Sequence, residues 1–242
     1  MSASSQKVLN WEAPCGQLLL RLIKDLPQDR PITLNVFGSS PLQLQLDQGF
    51  LSGDVDLFCA EDLTPLVKNL KLDKGQSEPY IEICPESTFG AAPSWVERAE
   101  KIAFGNVTVI LAAPIDILVS KIKRLEHKDL MAFDLVHERT GGPSEEELKH
   151  ALGRVVDMYR PAFDEENPGG DPVANTRRLW QHLYGHEIDV RKEIIEPALQ
   201  ARKEAYGENA PDARHLLDDI AKAVPRTEEK PPQRPRDNPP TI

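Results

Sequence analysis

The chain has 242 residues, 40% of them hydrophobic and 6% aromatic, a composition that suits a globular protein with one substantial core. Its formal net charge of −10 argues against a broad basic face that coats nucleic acid, although it leaves room for a local basic groove. There is neither an apolar run of the roughly 20 residues that a membrane span needs nor the apolar core of a signal peptide, so no membrane partner is expected.

The N-terminal half alternates between helical and strand patterns. Apolar residues recur at helical spacing from Glu12 to Leu26, and the run ends before Pro27. The segment 42–46 alternates like a strand, but its place after a glycine turn favours a helix. A short helix is predicted at 63–70. Four strands are predicted, at 32–37, 55–59, 80–84 and 107–111.

From Pro114 onward the pattern is helical. Pro114 suits the first turn of a helix that runs to Leu125, and Ser144 with Glu147 makes a capping box. Further helices are predicted at 130–137, 175–184, 186–206 and 212–224. All predicted strands therefore precede the helical part, which indicates an α+β fold.

The predicted architecture is a small mixed sheet with flanking helices, followed by a helical C-terminal region. The α+β domain is assigned to residues 1–140 and the helical region to 144–224. Residues 225–242 hold six prolines and many charges, so they are interpreted as a disordered tail. A PxxP match at 232–235 lies in this tail, and chance explains so short a pattern better than a binding motif does.

The most informative stretch joins a small turn to a pair of acids. The turn, Gly38-Ser39-Ser40, is followed after thirteen residues by Asp54-Val55-Asp56. Residues i and i+2 of a strand share a face, so Asp54 and Asp56 are expected to converge. Two carboxylates held together repel unless a cation lies between them, and Mg²⁺ is the expected occupant. The turn would bring backbone N–H groups and hydroxyls close to phosphates.

Glu82 is a candidate third carboxylate, since it occupies the centre of the apolar strand 80–84. Ile81 and Ile83 would face one side of the sheet and Glu82 the other. Two interpretations remain equally supported by the pattern. Glu82 is either an exposed residue of a half-buried strand or a member of the acidic site.

Two segments together resemble a known family. The first is the glycine–serine turn with its acidic pair. The second runs from Asn106 to Val136 and contains Pro114-Ile115-Asp116-Ile117, Lys121, Arg124, His127-Lys128-Asp129 and Phe133-Asp134. They are similar to the signatures of the polymerase-beta-type nucleotidyltransferase superfamily, in particular its minimal bacterial branch, which includes the AbiE-type toxins of toxin–antitoxin and phage-defence systems. The resemblance covers roughly residues 30–140.

The resemblance implies a two-metal transfer of an NMP group from an NTP to a hydroxyl acceptor. It assigns catalysis and the binding of two Mg²⁺ ions to Asp54, Asp56 and Glu82. It implies nucleotide-binding roles for Gly38, Ser39, Ser40, Lys121 and Arg124. The acceptor stays open between a tRNA end, a protein side chain and a small hydroxylated molecule. Toxin-like relatives suggest tRNA, with a cognate antitoxin protein as a candidate partner.

Several features favour plainer interpretations. Taken singly, Lys121 and Arg124 are more simply explained as part of a solvated helix face. Glu82 stands where the family more commonly has aspartate, and Pro41 restricts Ser40. These departures motivate an alternative function, a catalytically inactive relative that acts in regulation or in a toxin–antitoxin pair.

The remaining candidates are weaker. His182 and His186 are four residues apart, but Gly185 interrupts the helix between them, so ordinary histidines are favoured over a zinc pair. Trp180 beside two arginines is more simply a core residue than a base-stacking one. The three cysteines, Cys15, Cys59 and Cys84, lie in no metal-ligand spacing. Reduced thiols of this kind predict a cytoplasmic location.

Overall fold

The structure is a computed structural model that describes residues 9–50, 52–92, 94–159 and 170–206. Its strands are β1 (Ile32–Phe37), β2 (Asp54–Phe58), β3 (Tyr80–Ile83), β4 (Glu100–Phe104) and β5 (Val107–Leu111). The described α-helices are α1 (Pro14–Asp25), α2 (Ser40–Gln45), α3 (Thr64–Asn69), α4 (Trp95–Arg98), α5 (Pro114–Ser120), α6 (His127–Thr140), α7 (Glu145–Arg154), α8 (Pro172–Tyr184) and α9 (Glu196–Tyr206). Short 3₁₀ turns lie at Glu86–Thr88 and Val156–Tyr159, and a π-helical stretch lies at Arg191–Ile195.

The five strands form one mixed sheet in the order β3-β2-β1-β5-β4. β1 is antiparallel to β2 and parallel to β5, β2 is parallel to β3, and β4 is antiparallel to β5. Helices flank this sheet and dominate the chain after β5. The predicted α+β fold, with a mixed sheet and a helical C-terminal region, is therefore confirmed.

One face of the sheet is buried under the N-terminal helices. The inward side chains of β1 are Ile32, Leu34 and Val36, and those of the neighbouring strands continue the same apolar layer. Leu19 and Leu22 of α1 are fully buried against it. This layer fixes the register of the strands, because a slip of one residue would turn the apolar side chains to the other face.

The opposite face carries the polar side chains and meets the C-terminal helices along part of its width. Phe37 of β1 stacks on Phe89, with ring centroids 5.0 Å apart, and Trp95 packs edge-on against Phe89 at 5.3 Å. These rings belong to one apolar cluster with the buried residues of α5–α9, among them Phe133 and Trp180. The helical region and the sheet thus share a core.

The segment 42–46, for which the sequence allows a strand, is helical as favoured. Its glutamines are buried and do not face solvent: Gln43 Nε2 donates to the Phe50 carbonyl at 2.7 Å, and Gln45 Nε2 to the Ala112 carbonyl at 2.8 Å. The alternation of leucine and glutamine is therefore not a solvent-facing pattern. Pro41 lies in the first turn of α2, where a proline is tolerated.

Several elements differ from the sequence prediction. Strand β4 and the short helix α4 were not predicted, and β4 pairs with β5 through a tight Gly105-Asn106 connection. Helix α5 ends at Ser120, five residues before the predicted end at Leu125, where φ is +41°. Residues 186–189 are not helical, because Gly185 ends α8 in the left-handed conformation.

The predicted capping box of α7 is present: Glu147 N donates to Ser144 Oγ at 3.3 Å, and Ser144 N donates to Glu147 Oε2 at 2.8 Å. The predicted helix at 212–224 and the tail at 225–242 lie outside the described residues. Within the described part of the chain, each helix is too short or too polar to cross a membrane.

Candidate active site

Three carboxylates meet on the open face of the sheet. Asp54 and Asp56 lie two residues apart on β2, and β3 pairs in parallel register, with Asp54 opposite Tyr80 and Asp56 opposite Glu82. One oxygen from each of Asp54, Asp56 and Glu82 lies within 4.8 Å of the others. The two aspartates are half-buried and Glu82 is exposed. Glu82 therefore faces solvent and also belongs to the acidic cluster, so the two interpretations of its position do not exclude each other.

The glycine turn lies directly against this cluster. Asp56 pairs with Phe37 at the end of β1, which places the next residue, Gly38, beside the Asp56 carboxylate. A methyl group built on Gly38 would lie 1.8 Å from Asp56 Oδ2, closer than any real contact, and φ of Gly38 is +68°. Both the backbone conformation and the lack of space require glycine at this position.

Burial and the neighbouring negative charges shift the pKa of Asp56. Burial and the neighbouring charges of Asp54 and Glu82 raise the pKa of Asp56 to about 6, against the opposing effect of Lys121 and Arg124. Partial burial disfavours the ionised carboxylate, and like charges add to that cost. A bound cation would reverse this balance by favouring the ionised form.

Lys121 connects the turn to helix α6. Its Nζ donates to Ser39 Oγ at 2.9 Å and to Asp129 Oδ1 at 3.3 Å, and only 9% of the side chain is exposed. Burial lowers the pKa of Lys121, and the charge and hydrogen bond of Asp129 oppose that shift. The ammonium group is thus held at the turn by a buried acid.

Arg124 is held by the same acid. Its Nε and Nη2 donate to Asp129 Oδ2 and Oδ1 at 3.0 and 2.8 Å, the bidentate geometry that guanidinium and carboxylate groups favour. Burial alone would raise the pKa of Asp129, but hydrogen bonds from Arg124 and from the Glu126 N–H outweigh it and keep that pKa low. Asp129 therefore stays ionised and positions both cations.

A cleft of about 240 Å³ opens beside Asp56. It is lined by Phe37, Gly38, Asp56, Thr88, Phe89, Ser120, Lys121, Lys123 and Arg124. One acid and three basic residues share its wall, so the cleft is locally cationic although the chain as a whole is acidic. Anionic groups such as phosphates suit this surface.

The structure does not bring every predicted site residue to the cleft. The hydroxyl of Ser40 is buried and donates to the Phe37 carbonyl at 3.4 Å, so it supports the turn from inside. Ser39 is engaged with Lys121. In contrast Gly38, Lys121 and Arg124 all line the cleft beside Asp56.

Two residues of the site were missed as functional candidates by the sequence reasoning. The Tyr80 hydroxyl lies 3.5 Å from oxygens of both Asp54 and Glu82, at the long limit of hydrogen bonding. The sequence does contain a signal for Tyr80, because it lies two residues before Glu82 on β3 and therefore shares a face of the sheet with it. Asp129 enters the sequence prediction only as part of the His127-Lys128-Asp129 pattern, yet in the structure it holds Lys121 and Arg124 together.

The histidine pair and Trp180 take the plainer roles that were favoured. His182 Nε2 lies 2.6 Å from Asp134 and His186 Nε2 lies 2.9 Å from Glu145, so the two imidazoles turn to different partners. Trp180 is fully buried in the core. The cysteines Cys15, Cys59 and Cys84 are free thiols.

The donor set of the cluster fits a hard divalent cation. Three carboxylates offer oxygen ligands alone, the type that Mg²⁺, Mn²⁺ and Ca²⁺ prefer, and neither histidine nor cysteine is part of the cluster as the described residues form it. Burial, and after it the charges of Asp54 and Glu82, raise the pKa of Asp56, and a bound cation would offset both costs of the ionised carboxylate.

Comparisons of this chain with protein-family models, with curated proteins and with solved structures found no match.

Proposed function

We propose that the chain is a divalent-cation-dependent nucleotidyltransferase that moves an NMP group from an NTP to a hydroxyl acceptor. The observation that supports this most is the position of Asp56, which belongs both to the carboxylate cluster and to the wall of the basic cleft. Nucleotidyl transfer requires a cation site next to a site for phosphates, because negative charge at the triphosphate must be offset as the bond to the leaving pyrophosphate breaks.

In this proposal the carboxylate cluster binds the cation and the basic cleft binds the triphosphate. Asp54, Asp56 and Glu82 would hold Mg²⁺, which when bound lowers the pKa of the attacking hydroxyl and neutralises phosphate charge. Lys121 and Arg124 would bind and orient the triphosphate, since both line the cleft and both are fixed by a buried acid.

The identity of the acceptor rests on the resemblance alone. A tRNA end is the acceptor that toxin-like members of the family suggest, with a cognate antitoxin protein as a partner and a cytoplasmic location. The net charge of −10 adds no support for a nucleic-acid substrate beyond the local cleft.

Thermal melting with each of the four NTPs, with Mg²⁺ or with EDTA, tests donor binding. Ligand binding to the folded state raises the unfolding temperature, so we expect one or more NTPs to stabilise the wild type only when Mg²⁺ is present. Asp56→Asn should abolish this stabilisation. Asp25→Asn is the matched control, because Asp25 is exposed at the end of α1 on the other side of the sheet.

Incubation with an NTP labelled at the α-phosphate, together with total tRNA, then tests transfer. Label that moves to the RNA in the wild type and in Asp25→Asn, but not in Asp56→Asn, would support the proposal. Metal-independent NTP binding, or none at all, would contradict it and would favour the catalytically inactive, partner-binding alternative.

A further inference from the structure

A second cavity, of about 560 Å³, lies between α4, the start of α5 and the connection from α6 to α7. It shares no lining residue with the cleft beside Asp56. Its apolar wall includes Ile115, Val136 and Pro143, and its polar wall includes Arg98, His150 and Arg154. A volume of this size accommodates a small organic molecule.

Both carboxylates near the cavity already have partners. Arg98 donates from Nε and Nη2 to the buried Asp116 at 2.9 and 2.6 Å, a complete bidentate pair. The carboxylate of Glu147, at the exposed rim, accepts from the N–H and the hydroxyl of Ser144 at 2.8 and 3.0 Å. Within the described residues, neither carboxylate forms a hydrogen bond or an ion pair with Arg154.

Arg154 lacks such a partner. Its Nη1 lies 2.8 Å from His150 Nδ1. Because a guanidinium group only donates, His150 accepts at this nitrogen and adds no negative charge. Arg154 Nε is buried and has no hydrogen-bond partner among the residues that the structure describes. Burial and the charge of Arg98 lower the pKa of Arg154, and Asp116 opposes this shift only in part.

A partly buried cation without an acid is unfavourable unless something else pairs with it. We propose that the cavity binds a small organic anion, whose carboxylate or phosphate group pairs with Arg154 and whose apolar part packs against Ile115, Val136 and Pro143. Arg154 lines the cavity, and a guanidinium group is a favoured partner of carboxylates and phosphates. This site does not depend on the nucleotidyl transfer proposed above.

Calorimetric titration of the full chain with benzoate and with phenyl phosphate tests the proposal, and acetate and inorganic phosphate serve as probes without an apolar part. At least one aromatic anion should bind at least about tenfold more tightly than the matching small anion, because burial of its ring adds hydrophobic stabilisation. Saturating NTP with Mg²⁺ should leave this binding unchanged, since the two sites share no residue.

Arg154→Gln should weaken binding of the aromatic anion at least about tenfold. Arg178→Gln, at an exposed arginine of α8, should not change it. Without ligand, Arg154→Gln should melt no lower than the wild type, because it removes a cation that lacks an acid. Thr140→Trp, which adds bulk at an exposed position of the cavity rim, should block the ring independently of Arg154.

Three results would overturn the proposal. One is that none of the four anions binds the wild type at millimolar concentration. The second is that Arg154→Gln or Thr140→Trp, when folded, binds the aromatic anion as the wild type does. The third is competition by NTP with Mg²⁺, which would place the anion in the cleft beside Asp56 instead.

Discussion

At the scale of single residues, the candidate site rests on the contact between Gly38 and Asp56. The glycine leaves the space that the carboxylate occupies, and its φ of +68° is unfavourable for any other residue type. The same carboxylate is crowded by two other acids and carries a raised pKa. Geometry and electrostatics therefore converge on one carboxyl group, and each can be tested separately.

Gly38→Ala tests the geometry. The added methyl group cannot fit without displacing Asp56, so the substitution should lower the free energy of unfolding by roughly 1–3 kcal/mol and abolish Mg²⁺-dependent stabilisation by NTP. Gly185→Ala is the matched control, because Gly185 has φ of +75° but open space around its Cα. The unfolding temperature of Gly185→Ala reports the cost of backbone strain alone. That of Gly38→Ala reports backbone strain together with the displacement of the Asp56 carboxylate. Equal NTP stabilisation in the two variants would show that Gly38 does not shape the site.

Asp56→Asn in EDTA tests the electrostatics. The folded-state pKa of Asp56 is about 6, above its ordinary value of 3.8. Ionisation of Asp56 therefore destabilises the folded state. This destabilisation grows as the pH rises from 3.8 to about 6 and is complete above that range. Asp56→Asn should raise the unfolding temperature by a few degrees at pH 7.5, an effect of about 1–3 kcal/mol, and leave it nearly unchanged at pH 4. An equal effect at both pH values would contradict the raised pKa assigned to Asp56 and its causes, burial and the charges of Asp54 and Glu82.

At the scale of the elements, Asp129 ties three pieces of the chain together. Asp129 lies in the first turn of α6 and accepts hydrogen bonds from Lys121 and Arg124, which lie in the turn that follows α5. Through Lys121 it reaches Ser39 in the turn after β1. Its side chain also accepts the N–H of Glu126 and so caps its own helix. One buried carboxylate therefore fixes the basic wall of the cleft.

Asp129→Asn should lower the free energy of unfolding by roughly 3–5 kcal/mol, because it leaves Lys121 buried without an acid. Glu126→Gln weakens the exposed ion pairs of Glu126 with Arg124 and Lys128 but keeps a side-chain oxygen for the capping box of α6, so it should cost less than about 1 kcal/mol. Since the pKa of Asp129 is low, its contribution is present at neutral pH and is lost as the pH falls below about 4. Urea unfolding of the wild type and the two variants at pH 7 and pH 3 measures this contribution, and equal losses in the two variants at pH 7 would refute it.

At the scale of the whole molecule, the sequence predicts the strands and helices whose apolar residues recur at regular spacing along the chain. Strands β1, β2, β3 and β5 are short apolar runs, and the convergence of Asp54 with Asp56 follows from strand geometry alone. The meeting of Glu82 with them depends on β3 pairing in parallel beside β2, which no local pattern encodes. The acidic pair was therefore predictable, and the third position could only be a candidate.

Long-range contacts explain most of what was missed. Strand β4 is short and alternates between half-buried and exposed residues, so its local pattern is weak, and its partner β5 is seen only in the folded sheet. The glutamines of α2 look solvent-facing in the sequence but are buried against carbonyls of distant segments. The role of Asp129 depends on side chains that meet only when α5 and α6 pack. Sequence patterns therefore predict where most helices and strands lie, whereas the contacts between distant segments depend on tertiary packing.

The proposed nucleotidyl transfer requires Asp54, Asp56 and Glu82 to form one divalent-cation site beside the basic cleft. Calorimetric titration of Mn²⁺ into the protein, without and with a stabilising NTP, tests it most directly. We expect Mn²⁺ binding that tightens in the presence of NTP and that is lost in Asp54→Asn/Asp56→Asn but kept in Asp25→Asn. Mn²⁺ binding of equal strength in the double variant, or none in the wild type, would contradict the account.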